Sequence, residues 1–286
     1  MSTVDHRTVS RSRGWSALPR RRPPRPRPAV FTLRVPISTR SRIVLIALSI
    51  VVPLVAWWIL SVSGVVQPAQ YLPSPGATLL GLRDLALSGE LFTDAWASIQ
   101  RVGWGYGIAV LVSVPLGIAM GSFRSVWSLF EPVIGLLRYL PAGAFSPLLI
   151  IWLGLGEEPK ASLIFIGTFF FNTLMTADVV RGVPLNIIDV SYTLGARTGE
   201  VIRKVIVPYS LPGIVDCVRV NAAAAWSFVV IAELLAPESG LAYRIARLAR
   251  FQNFDKVFAV LVVIALIGLT IDIALRVLRD LLARWV

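Results

Sequence analysis

Six apolar stretches in the sequence are long enough to cross, or nearly cross, a lipid bilayer as helices. The first has 22 residues, and at about 1.5 Å per residue it reaches about 33 Å, which spans the hydrocarbon core. The first four stretches contain no charged residue, and isolated charges interrupt the last two. They comprise residues 43–64, 102–123, 139–156, 161–177, 207–235 and 257–278. The sequence therefore predicts an all-α fold, a polytopic membrane helix bundle with about six transmembrane helices.

Most of the basic excess lies in one terminal segment. The formal net charge is +12, and residues 1–42 hold eleven arginines against one acidic residue, Asp5. Hydrophobic residues make up 56% of the chain and charged residues 15%, so a lipid bilayer is the expected surrounding of the remaining residues. We predict a disordered basic cytoplasmic tail over residues 1–42 and a transmembrane domain over residues 43–286. No nucleic-acid partner is expected.

The positions of lysine and arginine predict the orientation, because basic loops remain in the cytoplasm. With the tail inside, the loop from Arg181 to Lys204 and the C-terminus also lie inside. We expect a multi-pass protein of the bacterial plasma membrane with both termini cytoplasmic. Four basic residues do not fit and fall outside: Arg244, Arg247, Arg250 and Lys256. Apolar residues at helical spacing accompany them, which predicts an amphipathic helix at the outer interface: Leu241, Ile245, Leu248 and Phe251.

Small residues and prolines indicate how the helices pack and where they bend. Membrane helices approach closely at glycine, and the second stretch is expected to use one glycine-rich packing face: Gly103, Gly105, Gly107, Gly117 and Gly121. Prolines remove backbone hydrogen bonds, so kinks or breaks are expected at Pro115 in the second stretch and at Pro141 and Pro147 in the third.

Polar side chains inside or beside the apolar stretches are costly in lipid and tend to face protein or water. Four are candidates for the translocation path or its gate: Arg138, Asn172, Asn221 and Glu233. Arg138 has two alternatives, reaching the cytoplasmic interface or pairing with Glu131. The other three have one alternative, a hydrogen bond between helices. Asp272 is expected to pair with Arg276, four residues later on the same helix.

The polar segment from Asp189 to Ile214 separates the fourth and fifth stretches. It mixes apolar and charged residues and is too polar to span a membrane. Amphipathicity alone is equally consistent with a helix that lies on the membrane surface.

This segment resembles the EAA loop of permease subunits of binding-protein-dependent ABC importers. Gly195 and Pro208 keep the glycine-to-proline spacing of that loop, whereas Asp189, Val190 and Ser191 stand at the E-A-A positions. The resemblance implies a cytoplasmic coupling helix, within about residues 186–207, that fits a groove on a separate ATPase. It also implies the ATPase-coupling residues Asp189, Gly195, Ala196, Arg197, Glu200, Arg203, Lys204 and Pro208.

The resemblance covers about residues 71–285, and its more specific stretches are residues 138–157 and 225–235. These stretches look like the subgroup that imports nitrate, taurine, alkanesulfonates, bicarbonate and related solutes. The resemblance implies a membrane subunit of an ATP-driven importer. Its expected partners are ABC ATPase subunits, an extracytoplasmic solute-binding protein and a second permease subunit, which forms a homodimer or a heterodimer. No cofactor is expected in this chain. The sequence has no G-x-x-x-x-G-K-[ST] phosphate loop, so ATP and magnesium are expected on the partner ATPase.

Two other classes of protein remain as alternatives. A secondary transporter would have the same kind of bundle and need no ATPase, but no internal repeat is visible and no acidic cluster suggests ion coupling. An intramembrane enzyme would need catalytic residues within the spans. The sequence has no H-E-x-x-H or G-x-S-x-G motif, and its single histidine, His6, lies in the tail. We therefore expect a transporter subunit without catalytic or metal-binding residues.

Overall fold

The structure is a computed structural model that describes residues 37–66 and 68–283. It divides into two compact units, which meet between Val55 and Ala56. The described part of the first unit, residues 37–55, lies mostly in helix α1 (Thr39–Val62), in which no residue is buried. Of the predicted basic tail, residues 1–36 lie outside the described residues.

All regular secondary structure in the described part of the second unit is helical, which confirms the predicted all-α fold. After α1, its α-helices are α2 (Pro75–Leu87), α3 (Glu90–Ser122), α4 (Arg124–Leu137), α5 (Ser146–Leu153), α6 (Glu157–Arg181), α7 (Leu185–Thr193), α8 (Thr198–Val201), α9 (Val207–Leu235), α10 (Leu241–Arg250) and α11 (Phe254–Leu282). Short 3-10 helices occur at Ala69–Tyr71 and Ala142–Phe145, and a π-helical turn at Ile202–Ile206 leads into α9.

Five helices of the described chain are long and apolar enough to cross a membrane, and a sixth crossing is available if a bent pair counts as one span. The bent pair joins α4 to the segment from Ala142 to Leu153, with an angle of 82° between the two parts. The third predicted span is therefore α-helical only in its second half, and α4 supplies the helix before it. The predicted interruption is confirmed, because Pro141 and Pro147 flank the break and neither can donate a backbone hydrogen bond.

Close contacts between α3 and α6 are made possible by three of the five glycines expected to pack. A methyl group added at Gly105 would lie 2.6 Å from the carbonyl oxygen of Ala161, and one added at Gly117 would lie 2.6 Å from Cβ of Thr176. Gly121 is equally close to α6. A methyl group added at Gly103 or Gly107 would have no other part of the described chain within 4 Å. The prediction that these two glycines share the packing face is therefore wrong within this chain.

Helix α10 has the predicted amphipathic pattern, and its apolar face packs on protein. Leu241 and Leu248 are buried in a core shared with α3, α9 and α11, and Ile245 packs against that core. The basic residue Arg244 on the same helix is also buried. Helix α10 is thereby held against the ends of the long helices, close to the start of α11.

Candidate functional site

The loop that resembles the EAA loop folds into helix α7, a tight turn and the start of the long helix that contains α9. Gly195 lies directly after α7 and its C-cap Leu194, with φ +83°, in the left-handed region that favours glycine. Its N–H donates to the carbonyl of Tyr192 at 2.9 Å, and the N–H of Ala196 donates to the carbonyl of Ser191 at 3.1 Å. This pair of bonds is a Schellman motif, so the glycine ends α7 and reverses the chain.

The turn presents apolar side chains to the surroundings. Leu194 is 82% exposed, and Val190 and Tyr192 on α7 are exposed as well. A groove of about 340 Å³ lies between this turn and the following helix, lined by Leu194, Gly195 and other residues of both segments. An exposed apolar tip beside a groove is a surface suited to another protein.

The charged residues implied in ATPase coupling surround this tip. Asp189, Arg197, Glu200, Arg203 and Lys204 are all exposed, whereas Ala196 and Pro208 are half-buried. Glu200 fixes the start of α8, because it accepts a hydrogen bond from the N–H of Arg197 at 3.1 Å and pairs with Lys204 at 3.1 Å. The fold thus brings the predicted coupling residues onto one segment.

The second half of the loop is continuous with a membrane-crossing helix, which the sequence did not indicate. Residues Thr198–Leu235 form one candidate span of 38 residues that includes α8, the π-helical turn and α9. In the π-helical turn the N–H of Val207 donates to the carbonyl of Ile202, five residues earlier. The wider turn accommodates Pro208, which cannot donate to the carbonyl of Lys204. The turn at Gly195 is therefore followed closely by a helix that continues without a break into α9.

Asn172 and Asn221 connect three helices in the middle of the bundle. The side-chain amide of Asn172 donates to Oγ of Ser113 on α3 at 2.7 Å, and that of Asn221 donates to Oδ1 of Asn172 at 3.3 Å. All three residues are buried. Their geometry matches the alternative of hydrogen bonds between helices.

Glu233 lies at the centre of a polar cluster at the end of α9. It is fully buried at 0% exposure, and its carboxylate accepts hydrogen bonds from Oγ of Ser98, from Nη1 of Arg101 at 3.0 Å and from the N–H of Ala242 at 2.8 Å. This arrangement also matches the alternative of a bond inside the bundle. Glu233 thus joins α3 and α9 to the start of α10.

All three guanidinium nitrogens of Arg101 donate hydrogen bonds in this cluster, a role that its sequence position did not indicate. It is 4% exposed, donates twice to the carboxylate of Glu157 and donates to both the carbonyl and the hydroxyl of Ser239. Asp94 and Arg244 form a second buried pair at 2.6 Å, and Asp94 also accepts from the N–H of Gly240 at 2.9 Å. The only sequence signal was that Arg101 and Glu157 border uncharged stretches.

The buried pairing of Arg244 explains one of the four basic residues that did not fit the orientation rule. Its charge is compensated by Asp94 and by Glu90, so it is not a free positive charge. Arg247 and Arg250 remain exposed.

Arg138 lies at the end of α4, immediately before the break in the third span. It is half-buried, its guanidinium donates to the hydroxyl of Tyr139 at 3.1 Å, and its Nε has no hydrogen-bond partner in the described chain. No ion pair joins it to Glu131 within the described residues, so that alternative is not observed.

The predicted pair of Asp272 and Arg276 is present at 3.0 Å and belongs to a larger network. Arg219 of α9 lies 2.9 Å from Asp272 of α11, and Asp216 of α9 lies 2.8 Å from Arg279 of α11. These pairs connect the middle of the continuous helix Thr198–Leu235 with the C-terminal half of α11.

Comparisons with known proteins place this architecture in a family. The family model described as a binding-protein-dependent transport system inner membrane component matches residues 113–286. A probable ABC transporter permease protein of Brucella melitensis is 35% identical over 238 residues, which cover 83% of this chain and 95% of the relative. A putative aliphatic sulfonates transport permease protein of Bacillus subtilis is 34% identical over 80% of this chain and 83% of its own length. The taurine transport system permease protein of Escherichia coli is 32% identical over 83% and 88%.

The fold also matches a solved membrane transporter. A chain from inward-facing conformations of the MetNI methionine ABC transporter superposes with a TM-score of 0.63 at 16% identity, covering 69% of this chain and 98% of that chain. The family match and the relatives therefore identify this chain as a member of the family of binding-protein-dependent transport system inner membrane components, the permease subunits of ABC importers.

Proposed function

We propose that this chain forms the translocation path for a small organic sulfonate, such as taurine or an alkanesulfonate, and is driven by a separate ABC ATPase. The names of two relatives, which refer to aliphatic sulfonates and to taurine, support this solute class. Nitrate and bicarbonate are the other solutes of the subgroup that the sequence resembles, and they serve as comparison solutes in the tests.

The observation that carries the coupling proposal is the exposed apolar tip at Leu194, fixed by the left-handed Gly195. A large apolar side chain at the aqueous end of a membrane bundle is stabilised when a partner covers it. The charged residues around the tip would form the polar rim of that contact. Because the following helix is continuous into α9, ATP-driven movement of the ATPase would tilt α9 and open the path alternately to each side.

The remaining partners follow from this arrangement. Two copies of the chain would form a two-fold homodimer with two coupling tips, one for each ATPase subunit. ATP and magnesium would bind to the ATPase, and an extracytoplasmic solute-binding protein would deliver the solute to the outer face. The coupling turn and both termini would lie in the cytoplasm.

The coupling proposal is tested by Leu194→Glu in the complete transporter. A carboxylate at the tip cannot be buried against an apolar groove, so we expect the ATPase to be lost on co-purification and ATP-dependent taurine uptake to fall at least tenfold. Leu87→Glu is the matched control, because Leu87 is 75% exposed on α2, a helix distant in sequence from the coupling turn. Full ATPase recovery and uptake with Leu194→Glu would refute the coupling assignment.

The solute class is tested with reconstituted vesicles that contain the permease, the ATPase and the binding protein. We expect ATP-dependent uptake of labelled taurine, with nitrate and bicarbonate failing to compete. Uptake of nitrate or bicarbonate without uptake of any sulfonate would refute the solute class and leave the coupling proposal standing.

A further inference from the structure

The break between α4 and α5 contains polar groups without protein partners. Within the described chain, the backbone N–H groups of Ala142 and Gly143 donate to no carbonyl or side chain. The hydroxyl of Ser146, the first residue of α5, is buried and also has no partner. Ser146 is 6% exposed and Ala142 is buried, so bulk water does not readily reach these two residues, whereas Gly143 is half-buried. Buried donors are almost always paired, so the N–H of Ala142 and the hydroxyl of Ser146 call for an acceptor, and the N–H of Gly143 is a third donor beside them.

The local geometry makes this point attractive to an anion. Helix α5 begins here, and the N-terminal end of a helix carries a partial positive charge. The Cα–Cβ bond of a helical residue tilts toward the helix N-terminus, so the Ser146 side chain leans toward the break. Gly143 adds no side chain to the break, and a methyl group there would meet Cγ2 of Ile231 at 3.6 Å.

The break lies inside the bent pair of helices that could together form one membrane span. Helix α5 packs through Leu149 against Leu163 of α6 and Ala232 of α9. Gly143 in the break lies next to Ile231, the neighbour of Ala232 in sequence, so the break and α5 border the same part of α9. Discontinuous helices in some transporters present their half-helix N-termini to anionic solute groups.

We propose that this break, formed by the N–H groups of Ala142 and Gly143 and the hydroxyl of Ser146, binds the sulfonate group of the solute during transport. The inference rests on the proposed function, because it assigns the binding site for the proposed solute class. A sulfonate offers three acceptor oxygens to the three donors, and apolar residues nearby, including Phe145 and Ile231, suit a short alkyl chain. Arg138, which precedes the break and has an unpaired Nε, adds a positive charge on the cytoplasmic side of the site.

The proposal is tested by Ser146→Ala in the reconstituted complete transporter. Loss of one hydrogen bond to an anion is expected to raise the KM for taurine about tenfold. Ser210→Ala is the matched control, because Ser210 is also buried and its hydroxyl also has no partner, but it lies on α9 beside the coupling segment. Co-purification of the ATPase with both variants establishes that they assemble.

A second measurement detects the site without relying on transport rates. Cys217 is the single cysteine, so a Cys217→Ser, Ser146→Cys chain carries one thiol at the break. In the ATP-hydrolysing complex, taurine is expected to slow modification of this thiol by a sulfonate-bearing methanethiosulfonate reagent. The same experiment with Cys217→Ser, Ser210→Cys is expected to show no protection.

The outcomes separate the site from the function. If the wild-type complex takes up taurine, an unchanged KM in Ser146→Ala together with an unprotected thiol overturns the site and leaves the proposed solute class intact; the donors would then bind structural water. If the wild-type complex takes up no sulfonate, the solute class fails and this assignment fails with it.

Discussion

Removal of the Glu233 carboxylate is expected to destabilise the bundle more than removal of any exposed charge. In Glu233→Ala, the hydroxyl of Ser98 and the N–H of Ala242 lose their buried acceptor, and Arg101 loses one of its two carboxylate partners. Breaking a buried ion pair by deleting one partner costs about 3–5 kcal/mol. The remaining partners of Arg101, Glu157 and Ser239, keep its charge partly compensated, which favours the lower part of this range.

The comparison variant is Glu157→Gln, which touches the same guanidinium group from the solvent side. Glu157 is 58% exposed, and solvent-exposed ion pairs contribute about 0–1 kcal/mol. Glutamine also keeps an acceptor for Arg101, so the expected loss is below about 1 kcal/mol. Glu233 and Glu157 are thus two carboxylate partners of the same arginine, one buried and one exposed.

The assay is thermal unfolding of the purified detergent-solubilised permease, followed by tryptophan fluorescence. At about 2–4 °C per kcal/mol for a chain of this size, Glu233→Ala should lower the Tm by about 6–20 °C and Glu157→Gln by less than about 4 °C. Equal shifts in the two variants, or a shift below about 2 °C in Glu233→Ala, would refute the argument that burial makes this carboxylate structural.

Two further pairs of glycine variants test the packing in the same unfolding assay. Gly240→Ala places a methyl group against the Glu233 carboxylate at φ +118° and is expected to lower the free energy of unfolding by more than about 2 kcal/mol. Gly89→Ala is the control at φ +75° with open space around it, and it should lower that free energy by about 1 kcal/mol. Equal losses would contradict the contact with Glu233. Gly117→Leu would overlap α6 and is expected to abolish recovery of folded permease. Gly107→Leu should leave the folded subunit intact, because no described part of the chain lies within 4 Å of a methyl group added at Gly107. Loss of folded protein in both variants would argue against the α3–α6 contact.

The membrane-crossing helices could be predicted because they depend on residues that are close together in the sequence. A run of apolar residues of sufficient length forms a helix in lipid because an uninterrupted helix satisfies its own backbone there, so every span except the broken third one could be located from hydropathy. The pair of Asp272 and Arg276 was predictable for a related reason, since residues four apart on a helix are always neighbours. The turn at Gly195 was indicated by the glycine itself and by its distance from Pro208.

Contacts between helices far apart in the chain could not be predicted in this way. Arg101 and Glu233 are separated by 132 residues, and the sequence around neither residue predicts the other as its partner. Likewise, Gly105 packs on α6 whereas Gly103 and Gly107 do not, although all three are glycines spaced two residues apart. Which face of α3 meets α6 depends on its rotation about its axis, and the neighbouring helices set that rotation.

The class of protein, the unbroken membrane spans and the segment that resembles a coupling loop follow from the amino-acid sequence, because each depends on residues close together in the chain. The tertiary structure alone decided the partners of Glu233 and Arg101, the burial of Arg244 and the unpaired donors at the break before α5. The physical reason is that hydropathy and helical spacing act locally, whereas pairing of buried charges and donors depends on which helices the fold brings together.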